Sequence, residues 1–221
     1  MLISIDGMSH TGRKDLARAV ARQFALPLLD VEALWNLLAL QLTGMRVTAD
    51  ASPDYLERAA HKLISDGLDI ELIDSGFAQV PEMTKFAETL RRFPLIRTRM
   101  ANVARDWLVV SQQKAVVFGR DTGRAIAPHA DHKVFLIGDA TVRARRRSGV
   151  IGAADLAALR DEIVAEDKRA ITTFGAPLRP AIEATVIDTT HTSNRAVFSH
   201  ICELIAARAA WARIESEALK L

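Results

Sequence analysis

Apolar residues come along this chain in short bursts, separated by longer stretches in which they recur every three or four positions. Leu2-Ile3-Ser4-Ile5 is apolar, partly β-branched and stops at Asp6-Gly7, which predicts a buried strand. After a loop over 7–12, Leu16, Ala19, Val20 and Phe24 fall at helical spacing and predict a helix over 13–24. Pro27-Leu28-Leu29 predicts a brief second strand, and the helical pattern returns over 31–42. Residues 44–93 are less regular. Asp50, Ser52 and Pro53 mark a turn before a helix over 54–65, residues 68–73 read as a strand or a short connector, and Pro81 opens another helix. Further on, 95–113 predicts a long helix, 115–118 a third strand ending at Gly119, and 133–137 a fourth. A helix starting at Thr141 is expected to break at Ser148-Gly149, and 155–173 is helical. Residues 184–187 form a fifth strand that ends at Asp188-Thr189-Thr190, and Ser193 caps a last amphipathic helix reaching to about 219.

Five short apolar strands alternating with helices predict an α/β fold with a parallel sheet. Such sheets bind ligands at the carboxyl ends of their strands. Here those ends carry residues 7–12, Asp30, Gly119-Arg120-Asp121 and Asp188, so several polar groups are expected at one edge. No internal repeat or low-complexity run interrupts the pattern, and 221 residues suit one domain.

Composition narrows the function. With 49% hydrophobic and 25% charged residues the chain reads as a soluble globular protein. A formal charge of +2 gives no nucleic-acid footprint, the run Arg143-Ala144-Arg145-Arg146-Arg147 being local. Cys202 is the single cysteine, so no disulfide forms within the chain, and a cysteine-based metal site is disfavoured. A reducing compartment, the cytoplasm, fits this usage. A strand at residues 1–5 speaks against a cleavable leader, and no apolar stretch approaches the roughly 20 residues of a membrane span. The six histidines lack metal-ligand spacing, Ser4 and Ser9 lack a visible histidine–carboxylate partner, and Trp35, Trp107 and Trp211 lie on apolar helical patterns suited to a core or an interface.

The first loop carries the clearest chemistry. Gly7-Met8-Ser9-His10-Thr11-Gly12-Arg13-Lys14 has the two glycines of a phosphate-binding P-loop at the right separation, between a strand and a helix. In such a loop, backbone N–H groups and a helix N-terminus make an anion site, a lysine after the second glycine reaches the β- and γ-phosphates, and a hydroxyl binds magnesium. Here Arg13 occupies the lysine position, a wider planar fork with the same charge. In the P-loop segments of nucleoside-monophosphate kinases, which this one resembles, a glycine and a threonine usually follow that lysine; Lys14 and Asp15 stand there, and Asp15 either ligates magnesium through its carboxylate or repels the phosphates. His10 adds a side chain where glycine is usual. By itself the segment also describes a plain strand-to-helix turn.

The rest of the chain adds a resemblance. Val117-Phe118-Gly119-Arg120-Asp121-Thr122-Gly123, then Pro128-His129-Ala130-Asp131-His132-Lys133-Val134-Phe135-Leu136, is similar to the cytidylate kinase pattern of a strand, Gly-Arg-Asp-x-Gly, a turn and Lys-Ile-Phe-Leu. Arg143-Ala144-Arg145-Arg146-Arg147 resembles the start of that family's lid. Ile5-Asp6-Gly7, Leu29-Asp30, Ala176-Pro177-Leu178-Arg179-Pro180-Ala181 and Val186-Ile187-Asp188-Thr189-Thr190 fit its opening and closing segments. The chain thus resembles a divergent cytidylate kinase, of the P-loop nucleoside-monophosphate kinases, over nearly its whole length. The resemblance implies a P-loop NTPase fold, a five-stranded parallel sheet flanked by helices, with a helical monophosphate-binding insert at 44–93 and a lid region at 143–176.

It also implies roles. Gly7, Ser9, His10, Thr11, Gly12, Arg13, Lys14 and Asp15 would cradle ATP with Mg2+, and Asp30 and Arg97 would belong to the acceptor site. Arg120 would hold the acceptor monophosphate, and Asp121 would contact the cytosine amino group or order the acceptor site. Arg143 and Arg146 would close on the donor phosphates. In the second lid segment the family carries Arg-Asp-x-x-Asp-x-x-Arg-Ala. A four-residue insertion over 172–175 places Glu166 and Arg169-Ala170 on it, puts Glu162 where the first arginine stands, and leaves a Phe174-Gly175 element like that of a divergent subgroup. After Asp30, Val31 and Glu32 replace a small hydroxyl residue and a glycine, which changes the acceptor side. The implied activity is phosphoryl transfer from ATP to CMP, dCMP or a related monophosphate. The alternative is a weak or inactive pseudokinase that binds nucleotide or a protein partner, with the last helix available for a partner or a second copy.

Overall fold

In a computed structural model of the protein, residues 1–70, 73, 80–152, 155–172 and 178–218 are described. They form two compact units, Met1–Leu28 with Lys114–Leu221, and Leu29–Gln113. A five-stranded sheet has the order β2-β3-β1-β4-β5, with β1 Leu2–Gly7, β2 Leu28–Asp30, β3 Ala115–Phe118, β4 His132–Ile137 and β5 Thr185–Asp188. β1 pairs in parallel with β3 and β4, and β4 with β5.

Every residue of β1 and β3 is buried. That explains their near-continuous apolar runs, since a parallel sheet is covered on both faces. In the first unit α1 (Arg13–Gln23) and α8 (Asn194–Ala218) pack Leu16, Val20, Val197 and Ile201 against Ile3, Ile5, Val116 and Leu136. The Ser193 hydroxyl accepts from the Ala196 amide at 3.2 Å and caps α8, as its sequence context predicts. Residue 219, the expected end of that helix, lies outside the described residues. Trp211 is exposed rather than part of the core.

The hairpin of α6 (Ala140–Ile151) and α7 (Leu156–Thr172) corrects one expectation. Ser148-Gly149 does not break the helix; α6 runs through it. Asp139 caps the start by accepting from the Thr141 and Val142 amides, and Gly152 in the left-handed conformation closes the end by donating to the Ser148 carbonyl at 2.8 Å. With both ends capped, an interior glycine costs only about 1 kcal/mol and is tolerated. Ala144, Leu159 and Ile163 form the small core of the hairpin.

The second unit is helical: α2 (Val31–Gly44), α3 (Pro53–Asp66), α4 (Pro81–Leu90) and α5 (Pro94–Val110). Proline opens three of them, where its missing N–H costs nothing. Leu37, Leu38, Leu42, Leu56, Leu90 and Met100 are buried in it, and the Arg91 guanidinium stacks 4.9 Å from the centre of the Trp35 ring. The segment 44–93 lies inside this unit; the strand-or-connector at 68–73 falls partly, at residues 71 and 72, outside the described residues.

Candidate active site

The loop between β1 and α1 is held from several sides. Gly7, at φ 147°, passes so close to β4 that an added Cβ would lie 2.3 Å from the Leu136 carbonyl oxygen. Met8 donates its amide to that same oxygen at 2.9 Å, and the Thr11 hydroxyl donates to the Met8 carbonyl at 2.9 Å. His10 adopts φ 57° with its side chain exposed. Gly12, left-handed at φ 83°, precedes α1 without a side-chain cap, and a Cβ there would meet the Asn194 amide at 2.7 Å. No side-chain hydrogen bond caps the start of α1 at Gly12, and helix starts of this kind are where anions bind.

Arg13 is buried, and its guanidinium donates to the Gly7 carbonyl. It ties the end of the loop to its beginning. Lys14 is half-buried and Asp15 exposed in the first turn of α1.

The turn after β3 is fastened to β1 by Asp6, one residue before the loop. The Asp6 carboxylate accepts from the Thr122 amide at 2.9 Å, the Thr122 hydroxyl at 2.6 Å and the Gly123 amide at 2.9 Å. With its proton on Asp6, the Thr122 hydroxyl accepts from Ser4 at 2.8 Å. Burial pushes the Asp6 carboxyl above its ordinary value, opposed by these hydrogen bonds and by the Arg13 charge. Asp121 lies in the left-handed conformation at φ 60°, its carboxylate 3.6 Å from the Arg124 guanidinium. Burial raises the Asp121 carboxyl to about 6, against the pull of Arg124 and with help from the Asp6 charge. Residues 122–126 then make a short wide π turn, a feature the sequence pattern did not announce.

Arg143, Arg146 and Arg147 of α6 are engaged by the protein. Arg143, only 2% exposed, donates to the Gly138 carbonyl at 2.9 Å, the Ser9 carbonyl at 3.3 Å and the two oxygens of Asp167 at 3.1 and 2.5 Å. Arg146 donates to the Thr189 hydroxyl at 3.1 Å and its carbonyl at 2.6 Å. Arg147 lies 3.0 Å from Glu162 and 3.7 Å from Glu166, and the Ser9 hydroxyl donates to Glu166 at 3.4 Å. Thus Glu166 and Arg143 both reach the loop, whereas Arg169 is on an exposed position of α7. Arg120 is half-buried after β3. Residues 173–177, with the Phe174-Gly175 element and Ala176-Pro177, lie outside the described residues.

In the other unit, Asp30 caps α2 by accepting from the Glu32 and Ala33 amides at 3.0 Å each. Arg97, in the first turn of α5, donates to the Arg91 carbonyl at 2.7 Å. Among the described residues, no group of three or more His, Cys, Asp or Glu side chains is placed to hold a metal, and no helix is long and apolar enough to cross a membrane.

The cytidylate kinase family profile matches residues 3–207. The chain belongs to the cytidylate kinase family. A cytidylate kinase of Granulibacter bethesdensis is 32% identical, over 96% of this chain and 99% of that protein. One of Streptomyces griseus is 30% identical, over 93% and 92%. Among solved structures, an uncharacterized protein from Eubacterium ventriosum shares the fold at TM-score 0.54 and 15% identity, covering 94% of this chain and 98% of that one.

Against the cytidylate kinase pattern, the residues that sequence reasoning left without a role are Asp6, Thr122, Asp167 and Thr189. Asp6 had a signal, a carboxylate ending a buried strand. Thr122 had a weaker one, a hydroxyl at the variable position of Gly-Arg-Asp-x-Gly. Asp167 had none, because its partner lies 24 residues away across a helical hairpin.

Proposed function

We propose that this chain transfers a phosphoryl group from ATP to CMP, dCMP or a related nucleoside monophosphate. The observation that carries the reading is the uncapped glycine loop at the start of α1, in a chain matched to the cytidylate kinase family over residues 3–207. An acceptor phosphate oxygen attacks the γ-phosphorus in line, the bond to the β-bridging oxygen breaks, and a nucleoside diphosphate and ADP leave. The loop's N–H groups and Lys14 hold the donor phosphates, and Arg13 adds charge. Arg120 holds the acceptor phosphate; Arg97 and Asp30 are the acceptor-site candidates of the other unit. Asp121 accepts from the cytosine amino group. Arg146 and Arg169 add positive charge from the lid.

The loop suits a polyphosphate: it leads into α1 without a side-chain cap, and its two glycines sit where Cβ atoms would collide. Magnesium would find the Asp15 carboxylate, exposed in the first turn of α1, where the family has a hydroxyl. Bound with ATP, it would screen the charge that develops on the phosphate oxygens. The cytoplasm, where these nucleotides are made and used, is the compartment this reading implies.

A second reading, a pseudokinase that binds nucleotide or a protein partner without turnover, is favoured by one observation: Arg13 and Arg143 both donate to protein acceptors. Calorimetric titration with ATP and Mg2+, with and without CMP, followed by an assay of ADP release, separates the two. Micromolar ATP binding strengthened by CMP, with CMP-dependent ADP release, is the expected result. Binding without turnover selects the second reading, and no binding at millimolar nucleotide removes both as nucleotide sites.

A further inference from the structure

Arg143 is placed as a strut rather than as a surface cation. It is among the most deeply buried side chains of the protein, and four of its five N–H groups have protein acceptors. These acceptors come from three places: Gly138 after β4, the Ser9 carbonyl of the phosphate loop, and Asp167 on α7. The fit around Gly138 is tight. A Cβ there would lie 2.9 Å from the Thr189 hydroxyl oxygen and 3.8 Å from the Arg143 side chain. Asp167 takes the guanidinium through both carboxylate oxygens, the geometry that fixes the plane of an arginine. That plane in turn aims Nη1 at the Ser9 carbonyl. Ser9 is also held through its side chain, whose hydroxyl donates to Glu166, the neighbour of Asp167.

We propose that Asp167 is a positioning residue for the phosphate loop: by locking the Arg143 guanidinium it sets the Ser9 peptide, and with it the direction of the loop's N–H groups. This rests on the reading of that loop as the donor site. It assigns Arg143 to the loop's own architecture and leaves contact with the donor phosphates to the loop backbone and Lys14. A peptide plane that turns at Ser9 re-aims the following N–H groups, and an anion cradle depends on their convergence.

The test uses hydrogen exchange and calorimetry on the full chain, with Asp167→Ala and Asp167→Asn. Asn is nearly isosteric and keeps one acceptor oxygen for Arg143, so it guards against simple misfolding in the Ala variant. Without nucleotide, Asp167→Asn is expected to speed exchange in peptides covering residues 6–14 at least 5-fold, and Asp167→Ala more. Peptides from β3 and β4 stay within 2-fold of the unchanged protein. With nucleotide, ATP affinity is expected to fall about 10-fold in Asp167→Asn while CMP affinity changes less than 2-fold. Unchanged exchange at 6–14, or a uniform rise across the whole unit, overturns the proposal, as does an equal loss of ATP and CMP affinity. If the unchanged protein binds no ATP, the donor-site reading fails and the loop has no phosphates to receive. The exchange result, which needs no nucleotide, keeps that failure distinct from failure of the latch.

Discussion

Asp121 is a charged group held where ionisation is unfavourable. Its carboxyl is raised from 3.8 to about 6 chiefly by burial, and the neighbouring Asp6 charge adds to this. Below about pH 4 both the folded and the unfolded chain carry its proton, and the group costs the fold nothing. As pH rises from 4 through 6 the unfolded chain ionises first, and the folded state loses stability relative to it. The gap between 3.8 and about 6 corresponds to at most about 3 kcal/mol. Asp121→Asn removes this penalty and keeps a residue type that tolerates the left-handed backbone at φ 60°. We therefore expect the Asn variant to melt higher than the unchanged protein at pH 7.5, with the difference closing toward pH 4. Melting curves across that range check it, and a difference that stays constant with pH would show that the carboxylate is not the cause. In the kinase reading the same substitution removes an anionic acceptor for the cytosine amino group, so CMP affinity falls as stability rises. The sequence marked Asp121 as chemistry through its motif. It could not show the raised carboxyl, which depends on the burial of Asp121 in the turn after β3 and on the Asp6 charge nearby.

At the level of elements, α6 is where pattern and structure part. Ser148-Gly149 read as a break because glycine weakens a helix interior, yet the helix passes through and ends at Gly152. Gly149 is exposed and an added Cβ meets nothing within 4 Å. Gly149→Ala is therefore expected to stabilise the protein by about 0.5–1 kcal/mol, through helix propensity alone. Chemical denaturation reads this directly; a loss of stability would mean that the glycine serves a need the backbone does not display. The strands were legible because a covered parallel sheet leaves continuous apolar runs, and Val116, Val117 and Leu136 could be placed from that alone. The loop over 7–12 was legible because its glycines carry backbone requirements. The fastening of the site was not. The Asp6–Thr122, Arg146–Thr189 and Arg143–Asp167 pairs join residues 116, 43 and 24 positions apart, and nothing local in sequence reports such pairs. Nor could sequence tell that Arg13, standing in the lysine position, would turn back to the Gly7 carbonyl.

For the molecule as a whole, two compact units make heat unfolding sensitive to which unit a ligand holds. A single melting temperature is then a well-defined quantity only if both units unfold together. A ligand that binds only the native state adds about 2.7 kcal/mol of stability at a hundred times its dissociation constant. In a chain of this size each kcal/mol raises the melting temperature by roughly 2–4 °C, so a shift of roughly 5–10 °C is expected. ATP with Mg2+ should act through the unit that contains β1 and α1. CMP should act also through Leu29–Gln113, which carries Asp30 and Arg97. Scanning calorimetry with each nucleotide alone and then both together decides whether the two units answer to one reaction. If the joint shift exceeds the sum of the separate ones, each nucleotide tightens the binding of the other and the two sites are coupled. A purely additive shift describes two sites that bind independently, and leaves turnover to the ADP-release assay. A shift from ATP that Asp167→Asn abolishes while the CMP shift survives would tie the donor half of that coupling to the Ser9 peptide.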